Sequence, residues 1–309
     1  MTQLLLDLLA RMGSLVIDGA MSTALENAGY SLKTRLWTAA ALIDAPEKVR
    51  DVHRSYFDAG ADITITDSYQ ATEAGFADAG IDSEQAATLI ALSVKLAREA
   101  RHDWAVAASG RSEDDKLVAG SCGPYGAYVP VGAEYTGAYH LSRNEYENFH
   151  RLRINALIDA HADLLALETQ PRLEEIEAEL SLVKKRNAAC WVTVTLADDG
   201  AHMPDGTALE ALASELDRIS CVVAFGVNCC APSKAEAALL RMKPFTEKPL
   251  VIYPNTGHFC HGPLAPADWK ALVTRWLHAG ARCIGSCCGT STEDTAAIAE
   301  ALHTFLSDR

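Results

Sequence analysis

The stretch ADLLALETQPRLEEIEAELSLVKKRNAACWVTVTL, residues 162–196, holds the repeating unit of the fold. An apolar run over 162–169 ends in Glu168-Thr169. A segment of helical period follows over 171–186. Pro171 near its start suits a first helical turn, where the missing N–H is not needed. A second apolar, β-branched run occupies 190–196. Strands this continuously apolar belong in a parallel sheet whose outer face is covered by helices.

The unit repeats in both directions along the 309 residues. Further strand candidates are LVIDGA (15–20), ADITITDSY (61–69), KLVAGSCGP (116–124), CVVAFGVNC (221–229), KPLVIYPN (248–255) and ARCIGSCCGT (281–290). Helix-period segments lie at 46–60, 84–101, 143–161, 207–219, 232–241, 266–279 and 291–306. Pro46, Ser83, Ser142, Thr207, Ser233, Pro266 and Ser291 stand near their starts. Eight alternations predict closure into an α/β, (β/α)8 TIM-type barrel, a single domain over 1–309. An open doubly wound sheet is the competing arrangement, but DGAMSTALE after the first strand does not fit GxGxxG.

The opening MTQLLLDLLARMG is apolar, yet Asp7 interrupts it and no basic region precedes it. It is read as an amphipathic helix, not a signal peptide. No apolar run reaches the length of a membrane span. The formal net charge is −14, without a basic patch, which argues against nucleic acid as a partner. Nine cysteines, at 122, 190, 221, 229, 230, 260, 283, 287 and 288, form an odd set in a large chain without a secretion signal. They are expected to stay reduced in the cytoplasm, several as small core residues.

In a barrel the active site lies at the C-terminal ends of the strands. The unusual residues of this chain gather there: Asp18-Gly19, Asp67-Ser68-Tyr69-Gln70, Gly123-Pro124-Tyr125, Glu168-Thr169, Asn228-Cys229-Cys230, Tyr253-Pro254-Asn255 and Cys287-Cys288-Gly289. Zinc takes tetrahedral sulfur ligands, three with an open position in catalytic sites and four in structural ones. Cys287, Cys288 and one of Cys229 and Cys230 supply three sulfurs, if the backbone turns so that neighbouring cysteines face one point. Gly285 and Gly289 bracket the pair and permit such a turn. The plainer alternative is that these are buried small side chains. His258, Cys260 and His261 form a second group of possible ligands, read as incidental loop residues or as a temporary fourth ligand.

GVNC (226–229) together with GSCCGT (285–290) resembles the zinc motifs of the homocysteine S-methyltransferase family. DGAMSTALE (18–26), SYQATEAGF (68–76), GPYGAY (123–128), EYTGAY (134–139), ADLLALET (162–169) and YPNTG (253–257) extend the resemblance over nearly the whole chain. It is similar to the branch using S-methylmethionine or S-adenosylmethionine. The resemblance implies a barrel fold and transfer of methyl from a sulfonium donor to homocysteine, giving methionine. It implies one Zn²⁺ per chain on Cys229, Cys287 and Cys288, with Cys230 a neighbour. It places Asp18 and Glu168 on the amino acid's ammonium, Gly19 where a backbone N–H approaches the substrate, and Tyr69 beside the reacting centre. Asn228 is counted with the substrate-binding residues. Physical chemistry agrees, because a bound metal deprotonates a thiol and the thiolate is the nucleophile. Trp37, Tyr125, Tyr128 and Tyr135 are further candidates for cation–π contacts.

Three positions depart from the family pattern. Ser286 stands where glycine is common, and His258 where glutamate often follows YPN-[ST]-G. Asp67 adds a negative charge before SYQA and is expected to favour a cationic donor. The competing functions are a non-catalytic thiol-rich zinc protein with four permanent ligands, a methyltransferase acting on another thiol or on selenocysteine, and a barrel lyase or hydrolase using Asp18 and Glu168 as acid and base.

Overall fold

The computed structural model describes residues 4–129, 132–256 and 264–307. Eight parallel strands form one sheet: β1 (Leu15–Val16), β2 (Ile63–Ile65), β3 (Leu117–Cys122), β4 (Leu164–Gln170), β5 (Cys190–Val194), β6 (Val222–Asn228), β7 (Leu250–Tyr253) and β8 (Ala281–Ile284). From β2 to β8 each pairs with its sequence neighbour, and β1 pairs with β8. A parallel bridge between Ile17 and Ile63 closes the ring. Asp62 N–H donates to the Val16 carbonyl (2.7 Å) and Asp18 N–H to that of Ile63 (2.9 Å). The predicted barrel is therefore what the chain builds.

Strand alternation divides the core in two. On β4, Leu164 and Ala166 face the barrel interior, while Leu165 and Leu167 pack outward under the helices. Interior residues include Leu15, Ile17, Ile63, Leu117, Trp191 and Tyr253. The N-terminal helix Leu4–Met12 buries Leu5, Leu8 and Leu9 in this same interior cluster. It plugs the barrel at the end where the strands begin, as its amphipathic sequence requires.

The barrel helices follow the predicted periods, with small differences at their starts. Ser142, expected near a helix start, forms a capping box with Glu145, whose carboxylate accepts from Ser142 N–H (2.7 Å). Asp82 caps the helix Ser83–Val106 in place of Ser83, accepting from Gln85 N–H (2.8 Å). The helix after Pro171 begins at Leu173, whose N–H is taken by Asp205 (2.7 Å). Short helices at Met21–Asn27, Glu73–Asp78 and Ala133–Thr136 are not predicted, because none is long enough to show a period.

Candidate metal centre

Cys229 follows β6 directly and takes a left-handed backbone conformation, φ 54°. That turn takes its side chain out of strand alternation. Cys287 and Cys288 follow β8 after the strand has ended at Ile284. Cys287 N–H donates to the Pro254 carbonyl (2.8 Å), and Thr256 N–H to the Cys288 carbonyl (3.0 Å). Gly289, at φ 83°, supplies the turn. Gly285 acts differently from expectation: a Cβ there would lie 2.7 Å from Ile17 Cβ, so close approach to β1 demands glycine.

The three sulfurs converge. Cys229 Sγ lies 3.1 Å from Cys287 Sγ and 3.8 Å from Cys288 Sγ, and the last two are 4.0 Å apart. A tetrahedron of Zn–S bonds about 2.3 Å long has S···S edges of about 3.8 Å, so the donor set fits one metal ion after a small opening of the shortest edge. Donation from Cys229 and Cys287 holds the Cys288 thiol well below its usual range. Three thiols this close do not all ionise unless a cation sits among them. Among the described residues this is the group able to hold a metal, and Cys230 is not part of it. The Tyr135 hydroxyl lies 3.5 Å from Cys229 Sγ. His258, Cys260 and His261 lie outside the described residues.

Two carboxyls are buried beside the thiols. Asp18 accepts from the Thr64 hydroxyl (2.6 Å) and from Ile65 N–H (2.9 Å). Burial pushes it up to about 8, with the nearby Glu168 charge adding to the effect. Glu168 accepts from the Ser121 hydroxyl and from Tyr253 OH (3.1 Å). Burial pushes it up to about 7. Desolvation lifts both, so both are poised to ionise when a cation arrives.

The remaining expected residues surround this pair. Burial raises the Tyr69 phenol well above its usual range, with Glu134, Cys229 and Glu168 among the charges acting on it. Its ring meets Trp37 edge-on at 6.3 Å between centroids. Gly19 sits under Tyr56 and Thr290, where a Cβ would come within 3.0 Å of both. Asn228 engages Thr169, accepting from its N–H (2.9 Å) and donating to its hydroxyl (2.8 Å). Tyr125 and Tyr128 instead pack against Phe149, at 4.9 and 5.7 Å between ring centroids.

The chain matches the homocysteine S-methyltransferase family over residues 15–302. The chain belongs to the homocysteine S-methyltransferase family. It is 44% identical over 302 residues to the Escherichia coli (strain K12) homocysteine S-methyltransferase, covering 94% of this chain and 96% of that protein. It is 40% identical over 294 residues to homocysteine S-methyltransferase YbgG of Bacillus subtilis (strain 168), covering 92% and 93%. The metallated crystal structure of the Escherichia coli homocysteine methyltransferase MmuM superposes with a TM-score of 0.89, covering 96% of this chain and 99% of that one.

The activity is therefore methyl transfer to homocysteine from a methyl donor, and the Cys229–Cys287–Cys288 triad of this homocysteine S-methyltransferase is suited to a metal. The residues holding its carboxyls were not visible in sequence. Thr64 donates its proton to Asp18 and lies 2.7 Å from His53 Nδ1, which must then be the donor in that contact. Burial lowers His53 to about 3, so it serves as a neutral ring. Tyr253 OH, donating to Glu168, accepts from Trp191 Nε1 (3.3 Å) and from Thr193 (2.7 Å). Of these, Tyr253 alone carried a signal, its place at a strand end.

Proposed function

We propose that the methyl donor is a sulfonium, S-methylmethionine or S-adenosylmethionine, and that Cys229, Cys287 and Cys288 hold one Zn²⁺. Support comes from one observation above the rest: three sulfurs within 4.0 Å of each other, beside two buried carboxyls. Zn²⁺ bound there supplies the positive charge that keeps the acceptor sulfur deprotonated at neutral pH.

The chain's own residues do the rest. Asp18 and Glu168 ionise against the ammonium of homocysteine, each releasing the proton that burial had held. Gly19 leaves room for the substrate to approach the backbone. Asn228 works through Thr169, fixing the turn that follows Glu168. Tyr69 faces the sulfonium with its ring, a contact worth ~0.5–2 kcal/mol. The acceptor sulfur's lone pair forms the new C–S bond. The pair of the old bond stays on the donor sulfur, which leaves as a neutral thioether, and the acceptor's proton goes to solvent. Aligning the two sulfurs contributes up to ~7–11 kcal/mol. The thiols require a reducing setting, which supports a cytoplasmic site of action. No described helix is long and apolar enough to cross a membrane.

Isotope-resolved product analysis tests this reading. Zinc-loaded protein receives homocysteine and methyl-labelled S-methylmethionine or S-adenosylmethionine, with a Cys288→Ser variant alongside. Labelled methionine from the wild type alone is the expected result. Equal output from both proteins overturns the role of the thiols, and output from neither donor overturns the sulfonium reading.

A further inference from the structure

Four charged or titratable side chains with no exposed surface lie behind the rim, apart from the thiols. His150 and Arg153 stand on the helix Arg143–Asp159, and Glu175 and Glu179 on the helix Leu173–Lys185, all at 0% exposure. A buried guanidinium is costly unless its N–H groups find acceptors; those of Arg153 Nη1 and Nη2 do, and Nε has none among the described residues. Arg153 Nη1 donates to the Tyr69 carbonyl at 2.6 Å, and Nη2 to the Gly123 carbonyl at 2.5 Å. Nη2 also lies 2.8 Å from His150 Nδ1. An accepting Nδ1 leaves the imidazole proton on Nε2, which donates to Glu175 at 2.8 Å. The same carboxylate takes Tyr125 N–H (2.5 Å) and Tyr139 OH (2.6 Å).

One chain of contacts thus runs from two outer helices to the ends of β2 and β3. Tyr69 has little freedom once its carbonyl is held. A Cβ on Gly123 would lie 2.7 Å from its ring, and Trp37 meets it edge-on. A ring packed on these sides goes where its backbone goes. The planar fork of arginine matches two carbonyls at once, and a lysine reaches one.

We propose that Arg153 is a positioning residue for the methyl donor: by pinning the carbonyls of Tyr69 and Gly123 it sets the Tyr69 ring where the donor's cation is received. The inference rests on the reading of Tyr69 given under Proposed function. The Arg153 charge also reaches Glu168, where it opposes the rise caused by burial, so Arg153→Lys, which keeps that charge, tests the donor role apart from the acceptor half built on Asp18, Glu168 and the thiols.

Steady-state kinetics on wild type, Arg153→Lys, Tyr69→Ala and the double variant test it, with S-methylmethionine and S-adenosylmethionine as donors. Arg153→Lys is expected to raise donor KM about 3- to 30-fold, with homocysteine KM within about twofold and metal content unchanged. In the Tyr69→Ala background the same substitution is expected to add nothing, because the two residues act as a unit. Additive effects, a parallel rise in homocysteine KM, or an unchanged donor KM overturns the proposal. If Arg153→Lys does not fold, His150→Gln leaves the guanidinium in place with less support and is carried through the same cycle. The same donor-selective, non-additive rise is then expected, and its absence overturns the proposal. Wild-type turnover with neither donor overturns the sulfonium reading and this inference together. Turnover with unaltered variants overturns this inference alone.

Discussion

Asp67 holds its carboxyl in the interior with neither oxygen hydrogen-bonded to a described residue at ordinary geometry. It is 2% exposed, and burial pushes it up from 3.8 to about 7, with the nearby Thr38 hydroxyl opposing the rise. The folded state therefore binds this proton more tightly than the unfolded chain does. The stability it contributes is complete below pH 3.8 and is lost as pH rises through about 7. Asp67→Asn abolishes that titration. Urea unfolding at pH 4 and pH 8 is expected to show the variant gaining on the wild type by up to about 4 kcal/mol at the higher pH. A gap that does not widen with pH would show that the carboxylate has a partner. The same variant tests the expected preference for a cationic donor: an unchanged donor KM retires that role. At this scale strand-end position singled out the cysteine pairs and the two carboxyls, and it was the family resemblance that chose Cys229 over Cys230 and gave Asp18 and Glu168 their roles. Sequence reasoning missed Thr64, His53 and Ser121, which lie on a helix or inside strands, where only the folded structure shows what they touch.

Elements were more legible than residues. Each barrel strand is a continuous apolar run and each outer helix has a period, so both announce themselves locally. Where the chain closes on itself is less obvious: β1 is only Leu15–Val16, and the ring depends on the single bridge from Ile17 to Ile63. The N-terminal helix compensates by filling the barrel's open end. Leu5 and Leu8 are each 2% exposed, whereas Leu4, the first residue of the helix, is 43% exposed. Leu5→Ala is expected to cost ~2–5 kcal/mol of stability, and Leu4→Ala less than about 0.5 kcal/mol. Neither should change kcat, because the plug lies at the far end of the strands from the thiols. Denaturant midpoints with parallel kinetics check both statements. Equal losses would mean that the helix does not seat in the barrel as a plug.

On the scale of the molecule, an ion held by the thiols cross-links distant parts of the barrel. Cys229 follows β6, the cysteine pair follows β8, and β7 lies between them in the sheet. The ligands are 58 and 59 residues apart along the chain, so an ion held by all three is bound by the folded barrel and not by the unfolded chain. Binding of that kind stabilises by RT ln(1 + [L]/Kd), about 4 kcal/mol when the free ion is at a thousand times Kd. Chelation is therefore expected to lower the melting temperature by roughly 5–10 °C, and Zn²⁺ to restore it. Cys288→Ser should melt at one temperature with or without the ion. The plug and the metal site sit at opposite ends of the strands, linked through the interior cluster that holds Leu5 and Leu8 and against which Cys287 packs; at that separation their effects should add. Leu5→Ala stripped of metal is expected to melt lower than wild type by the sum of the two separate shifts. A smaller combined shift would mean that the barrel transmits order from one end to the other, with the strands acting as one cooperative unit between plug and site.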